Sequence, residues 1–64
     1  MYRLEIYYPN GARPSATRYV DRASDTLSMI SALLAEHHGC ERIVVWMGET
    51  RMFAVDCKGN RLND

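Results

Sequence analysis

Arg42-Ile43-Val44-Val45-Trp46-Met47 is a short apolar run, rich in β-branched and aromatic residues and bounded by Gly39 and Gly48. A run of this length and composition reads as a strand covered on both faces. Alternation sends Ile43, Val45 and Met47 one way and Val44 and Trp46 the other. The strand therefore asks for two covers, and the rest of the chain must supply them.

Working outward, Tyr2 to Tyr8 alternates as a strand. Tyr2, Leu4, Ile6 and Tyr8 form the core-facing set, and Arg3, Glu5 and Tyr7 the opposite one. Pro9-Asn10-Gly11 stops it, because Asn and Gly both tolerate positive φ. The loop extends to Pro14 or Ser15. Ala16-Thr17-Arg18-Tyr19-Val20 follows as a shorter, more polar strand with edge character.

The stretch from Asp21 to Ser24 has helix-start chemistry. Asp21 or Ser24 is expected to cap the first turn, with Asp25 adding a favourable negative charge. Ala23, Leu27, Ile30, Leu34 and His37 recur at three- and four-residue spacing, flanked by Thr26 and Leu33, as the buried stripe of an amphipathic helix. Gly39 is expected at C′. His37 and His38 then fall in the last turn, where positive charge suits the dipole.

Beyond the Arg42–Met47 strand, Gly48-Glu49-Thr50 makes a tight turn into a fourth strand, Arg51 to Cys57. There Phe53 and Val55 point one way, Met52 and Ala54 the other. Lys58-Gly59-Asn60 is another turn signal. Leu62 is expected to pair briefly or to pack as a plug, and Asn63-Asp64 to fray.

The element order is ββαββ, an α+β fold with one helix packed on one face of a four-stranded sheet. The 64 residues make one domain. Two strand orders fit. Order 2-1-3-4 is antiparallel throughout and places the apolar third strand inside. Order 2-1-4-3 is β-grasp-like and leaves that strand at an edge. The first is favoured, since an exposed edge reading Ile-Val-Val-Trp invites aggregation.

Composition narrows the function classes. Eight basic and eight acidic residues cancel, so no strong long-range field draws nucleic acid or anionic lipid. Hydrophobic residues make up 47% of the chain and charged ones 25%, a globular balance. No apolar run approaches a membrane span. The start of the chain, with Glu5, lacks the apolar core of a signal peptide, so a cytoplasmic location is expected. Cys40 and Cys57 are expected to remain thiols there.

His37, His38, Cys40, Asp56 and Cys57 are zinc-ligand types, yet their spacing matches no standard site, so no metal or cofactor is expected. No third group orients a Cys-His pair and no cleft is foreseen, so no enzymatic activity is expected.

What does stand out is a surface. One helix covers one face of the sheet: Leu4, Ile6, Ile43, Val45, Phe53 and Val55 should pack on Leu27, Ile30 and Leu34. The other face collects Tyr7, Val44, Trp46, Met52 and Ala54, edged by Arg3, Glu5 and Arg42. With a tight turn, Val44 and Trp46 face Met52 and Ala54. An aromatic and aliphatic cluster rimmed by arginine has interface composition. The expected function is that of a small protein-interaction module, an adaptor, inhibitor or homodimer, whose partner is itself or another protein. The alternative is single-stranded nucleic-acid binding, with Tyr7, Tyr19 and Trp46 stacking bases among the arginines. The bland reading has Trp46 flat on the sheet, shielded by the stems of Arg3 and Arg42 and by Leu62.

Overall fold

In a computed structural model the described residues are 1–62; the fraying expected of Asn63-Asp64 lies outside them. The elements are β1 (Tyr2–Tyr7), β2 (Ala16–Val20), α1 (Ala23–Glu36), β3 (Arg42–Met47) and β4 (Thr50–Asp56). The sheet order is β2-β1-β3-β4, with every neighbouring pair antiparallel. This is the favoured 2-1-3-4 order, not the β-grasp-like one. The most apolar strand, β3, is interior, which hides its backbone edges as well as its side chains.

Three turns make this order. Gly11 N–H donates to Tyr8 O (3.0 Å), closing a turn with Pro9 and Asn10 at its centre. Asn10 alone of the Asn-Gly pair has positive φ, 67°; proline followed by a positive-φ residue is the type II pattern. Gly48 (φ 61°) and Glu49 form the two-residue loop between β3 and β4, as expected where glycine leads a type II′ turn. After β4 the chain reverses again at Lys58-Gly59. Asp56 N–H donates to Asn60 O, and Leu62 N–H donates to Ala54 O, both at 2.8 Å. Arg61 thereby bridges Val55. Leu62 does pair, and this short return occupies the outer edge of β4.

The core is Leu4 and Ile6 of β1, Ile43 and Val45 of β3, Val55 of β4 and Ile30 and Leu33 of α1, with Cys40. Phe53 packs beside it, half-buried, with the Arg61 guanidinium 4.8 Å from its ring centroid. Met47, expected under a neighbour, is 44% exposed, because it sits at the lip of the tight turn beyond the helix.

The helix is rotated from its expected phase. Its buried residues are Thr26, Ile30 and Leu33, while Leu27 is 66% exposed. At 100° per residue this is a rotation of roughly 50°. The apolar arc on α1 runs from Met29 through Leu33, Ile30 and Leu34 to Leu27, wider than one sheet face can cover. Met29 and Leu34 both pack partly against the core, and centring the arc between them leaves Leu27 at its margin. Thr26 tolerates burial because its hydroxyl donates to Ala23 O at 2.6 Å.

The ends of α1 also differ from expectation. Arg22, not Asp21 or Ser24, is the N-cap, and no side chain caps the turn; Asp25 does lie in the first turn. The helix stops at Glu36, with His37 as C-cap, so both histidines lie beyond the last turn. Gly39 takes the left-handed conformation (φ 83°) two residues past the cap, turning the chain into β3.

Cys40 and Cys57 form a disulfide with Cα atoms 5.5 Å apart, against the expectation of free thiols. The cause is the hairpin. Arg42 pairs with Asp56, so the residues just before β3 and just after β4 emerge side by side. The bridge ties the helix exit to the end of the sheet.

Two outcomes follow from these links. Reduction of the bridge, which spans a sequence separation of 17, should lower the unfolding free energy by about 3 kcal/mol, a large share for a chain this small. Urea denaturation with and without a phosphine reductant checks this, and an unmoved midpoint would show that the bridge adds nothing. The second concerns Asp56, whose carboxylate accepts from the N–H groups of Asn60 (2.9 Å) and Lys58 (2.8 Å). The Asn60 bond, then that of Lys58, hold its pKa below the ordinary carboxylate value. A depressed folded pKa stabilises fully above the unfolded pKa and is lost as pH falls through the folded value. Asp56→Ala should therefore cost stability at pH 7 and little once the native carboxyl is protonated, as denaturation curves across that range will record.

Candidate functional site

The face of the sheet away from α1 is set by the register of β1 against β3. Arg3 pairs with Trp46, Glu5 with Val44 and Tyr7 with Arg42. Cross-strand partners share a face, so these six side chains stand together. Within the alternation, Arg3-Leu4-Glu5-Ile6-Tyr7 and Arg42-Ile43-Val44-Val45-Trp46 have one pattern: arginine, apolar, variable, apolar, aromatic. Because the strands are antiparallel, each arginine meets the other strand's aromatic. The guanidinium of Arg3 lies 5.3 Å from the Trp46 ring centroid, and that of Arg42 lies 4.7 Å from the Tyr7 ring centroid.

The outer strands extend these rows. Tyr19 of β2 pairs with Arg3, and Thr17 with Glu5. Ala54 of β4 pairs with Val44, as expected. Trp46, however, pairs with Arg51 rather than Met52. The ladder shifts between Val45 and Trp46, and Val45 pairs with Phe53, so Met52 is the extra residue of a β-bulge. Met52 is 45% exposed. The row at this end reads Tyr19, Arg3, Trp46, Arg51; the next reads Thr17, Glu5, Val44, Ala54; the third holds Tyr7, Arg42 and Asp56. Tyr19 stands on this face, as the nucleic-acid alternative expects; Arg51 is a member that sequence reasoning misses, because a bulge has no signature in this stretch.

Hydrogen bonds pull the rows together. Tyr7 OH donates to Glu5 Oε1 at 3.1 Å. Arg3 Nε lies 3.2 Å from Glu5 Oε2, an ion-pair distance, although its N–H is not aimed well enough for a hydrogen bond. Glu5 thus sits between a cation and a phenol, its side chain only 15% exposed. The Nε1 of Trp46 is buried with no hydrogen-bond partner among the described residues. Val44 and Ala54 are buried, at 4% and 1% exposure, without a helix above them. Their own neighbours shelter them. Trp46 is half-buried, with Arg3 as its shield; Arg42 covers Tyr7 instead.

The second constellation noted in the sequence resolves differently. The Tyr8 hydroxyl and His37 Nδ1 are 3.0 Å apart, at the end of the sheet where Cys40 and Cys57 join. His37 Nε2 is 4.0 Å from Glu36 Oε2. With both sulfurs in the disulfide no thiolate is left to ligate, and among the described residues no three histidine, cysteine or acidic side chains converge on a metal-sized site. An open groove of about 530 Å³ runs beside the start of α1, lined by Val20, Asp21, Arg22, Asp25, Ser28, Met29 and Ala32; it holds none of the patch residues. No helix among the described residues is long and apolar enough to cross a membrane.

No family model, curated protein or solved structure matches this chain. Function must therefore be argued from the face itself.

The Tyr7 phenol reports on that face. Burial, then its bond to Glu5 and the nearby carboxylate charge, raise its pKa above the ordinary tyrosine value, against the opposing pull of Arg42 and Arg3. A raised folded pKa means stability that is whole below the unfolded pKa and lost as pH rises through the folded one. Phenolate absorbance should show a late-titrating component above the ordinary tyrosine value, and Tyr7→Phe should remove it. A late tyrosine persisting in that variant would place the shift elsewhere.

Proposed function

We propose that this chain is a small, non-catalytic protein-interaction module, an adaptor, inhibitor or homodimer, that docks through the sheet face opposite α1. Trp46 and Tyr7 supply the apolar contact, with Met52 beside them at the bulge and the buried pair Val44 and Ala54 as the floor beneath. Arg3 and Arg42 form the rim, and no cofactor takes part. The observation that carries this reading is the alternation of guanidinium and aromatic groups around the Val44–Ala54 centre. Arginine, tryptophan and tyrosine are the residues that dominate binding energy at protein interfaces. A partner laid on this face meets rings and fork-shaped donors already held in place, which lowers the entropy cost of docking.

Single-stranded nucleic acid is the second reading, supported by Arg3, Arg42 and Arg51 sharing one face with Tyr7, Tyr19 and Trp46. Against it, the Arg3 and Arg42 guanidinium groups already lie over the Trp46 and Tyr7 rings, where bases would have to stack. Glu5 also places a carboxylate among them. As to location, a Cys40–Cys57 disulfide persists in oxidising compartments, which weighs against the cytoplasmic placement expected from the sequence.

Immobilised wild-type chain and a Trp46→Ala variant, compared in capture from native lysate, separate these readings. The variant should lose roughly 2 kcal/mol of affinity for the captured protein and less than that in unfolding free energy. The reverse ranking would make Trp46 a core residue only. Binding to a short oligothymidylate that weakens steeply with salt would instead favour nucleic acid.

A further inference from the structure

We propose that the Cys40–Cys57 bridge is a reversible thiol–disulfide switch that fixes the Tyr7–Arg42 end of the uncovered sheet face. Its bearing on docking rests on the reading that this face binds a protein. The switch itself rests on where the two sulfurs sit.

Both cysteines lie outside the ladder. Cys40 precedes β3 and Cys57 follows β4, so opening the bridge removes no backbone pair between strands. Their surroundings differ. Cys40 is buried in the core cluster at 6% exposure, whereas Cys57 packs at the margin of that cluster and is partly exposed. An external thiolate therefore reaches Cys57 Sγ and not Cys40 Sγ, and access decides which sulfur is attacked.

Each sulfur also has a place in the reduced chain. A free Cys40 thiol is a small apolar group in an apolar core, a setting that suits cysteine. Cys57 Sγ lies 3.4 Å from His37 O. The bridged sulfur has no hydrogen to share, but the thiol formed on reduction donates to that carbonyl. Neither product is left displaced or unsatisfied, so the chain has a folded form in both states.

The reductant is a small thiol of the glutathione class. Its thiolate attacks Cys57 Sγ and a mixed disulfide forms. The Cys40–Cys57 bond breaks, and Cys40 leaves as a thiolate that takes a proton from water. A second thiolate then attacks the external sulfur of the mixed disulfide. Cys57 leaves in turn and is protonated. Two electrons have passed to the protein, and two small thiols have become one small disulfide.

The bridge closes the end of the sheet that holds the third row of the face. Arg42 and Asp56 are the last pair of β3 with β4 at this end. Arg42 also pairs with Tyr7, and Glu41 N–H donates to Tyr7 O at 2.7 Å. Unrestrained ends open at almost no free-energy cost. A covalent link just beyond the Arg42–Asp56 pair prevents this, and keeps the Arg42 guanidinium 4.7 Å from the Tyr7 ring centroid. Reduction returns the pair to an ordinary frayed end. Arg3 and Trp46 pair at the opposite end of the face, away from the change. A partner then meets Tyr7 and Arg42 already placed on the oxidised chain, but has to order them on the reduced one.

Glutathione buffers, from equal amounts to about a thousandfold excess of the reduced form, test the switch on the wild-type chain. The bridge should open within this range while the far-ultraviolet circular dichroism holds. Acid-quenched samples should carry the mixed disulfide on Cys57. The nuclear Overhauser contact between the Arg42 side chain and the Tyr7 ring should be lost in the dithiol form, whereas that between Arg3 and Trp46 persists in both. Trp46-dependent capture from native lysate should weaken by about two- to tenfold on reduction. A bridge that stays closed throughout, a dithiol chain that unfolds, glutathione found on Cys40, or an Arg42–Tyr7 contact that outlasts reduction overturns the proposal. So does capture that depends on Trp46 but is equal in the two states. If the spectra change as expected and no capture depends on Trp46, the switch stands and the docking reading falls.

Discussion

The antiparallel pairing of β1 with β3 governs this structure. It sets Leu4 against Val45 and Ile6 against Ile43 on one side of the sheet, and Arg3 against Trp46 and Tyr7 against Arg42 on the other. Because side chains alternate with a strict period of two, a slip of one residue would turn every one of these groups to the wrong face. The four fully buried aliphatic side chains on the helix side hold the register. The uncovered face inherits its pattern without having to be a core itself.

That division explains why so polar a face is also orderly. On the helix side, burial drives assembly and tolerates little variation. On the other, Arg3 and Arg42 spread their apolar stems and planar heads over Trp46 and Tyr7, and Glu5 ties Arg3 to the Tyr7 hydroxyl. Val44 and Ala54 are buried on this face without a second helix, while the long amphipathic side chains beside them leave charge at the surface. The result is an interface-like composition at a low cost in exposed hydrocarbon. A partly covered tryptophan and an aromatic, arginine-bearing face thus coexist, although they read as alternatives when only the sequence is considered.

The small size of the chain makes its staples matter. The Cys40–Cys57 bridge, the Asp56-centred turn and the return of Arg61 and Leu62 along β4 all gather at one end or edge of the sheet. There the helix exit and the last strand would otherwise be held by few apolar contacts. A core of this extent stabilises only modestly, and each of these links removes freedom from a part of the chain that the core does not reach.

Periodicity and turn chemistry are local properties, and they were legible residue by residue: alternation from Tyr2 to Tyr7, the apolar run at Ile43–Trp46, glycine at the β3–β4 turn, and hence four strands, one helix and a bare face. The strand order followed from a solvent argument, that β3 could not sit at an edge. Everything that depended on how elements meet was settled by packing. The helix turned to centre Met29 and Leu34, and so exposed Leu27. The ladder slipped at Trp46, and so exchanged Met52 for Arg51. The hairpin brought Cys40 to Cys57. Each is a relation between residues far apart in the chain, and a linear pattern carries the period of an element but neither its rotation nor its register against a neighbour.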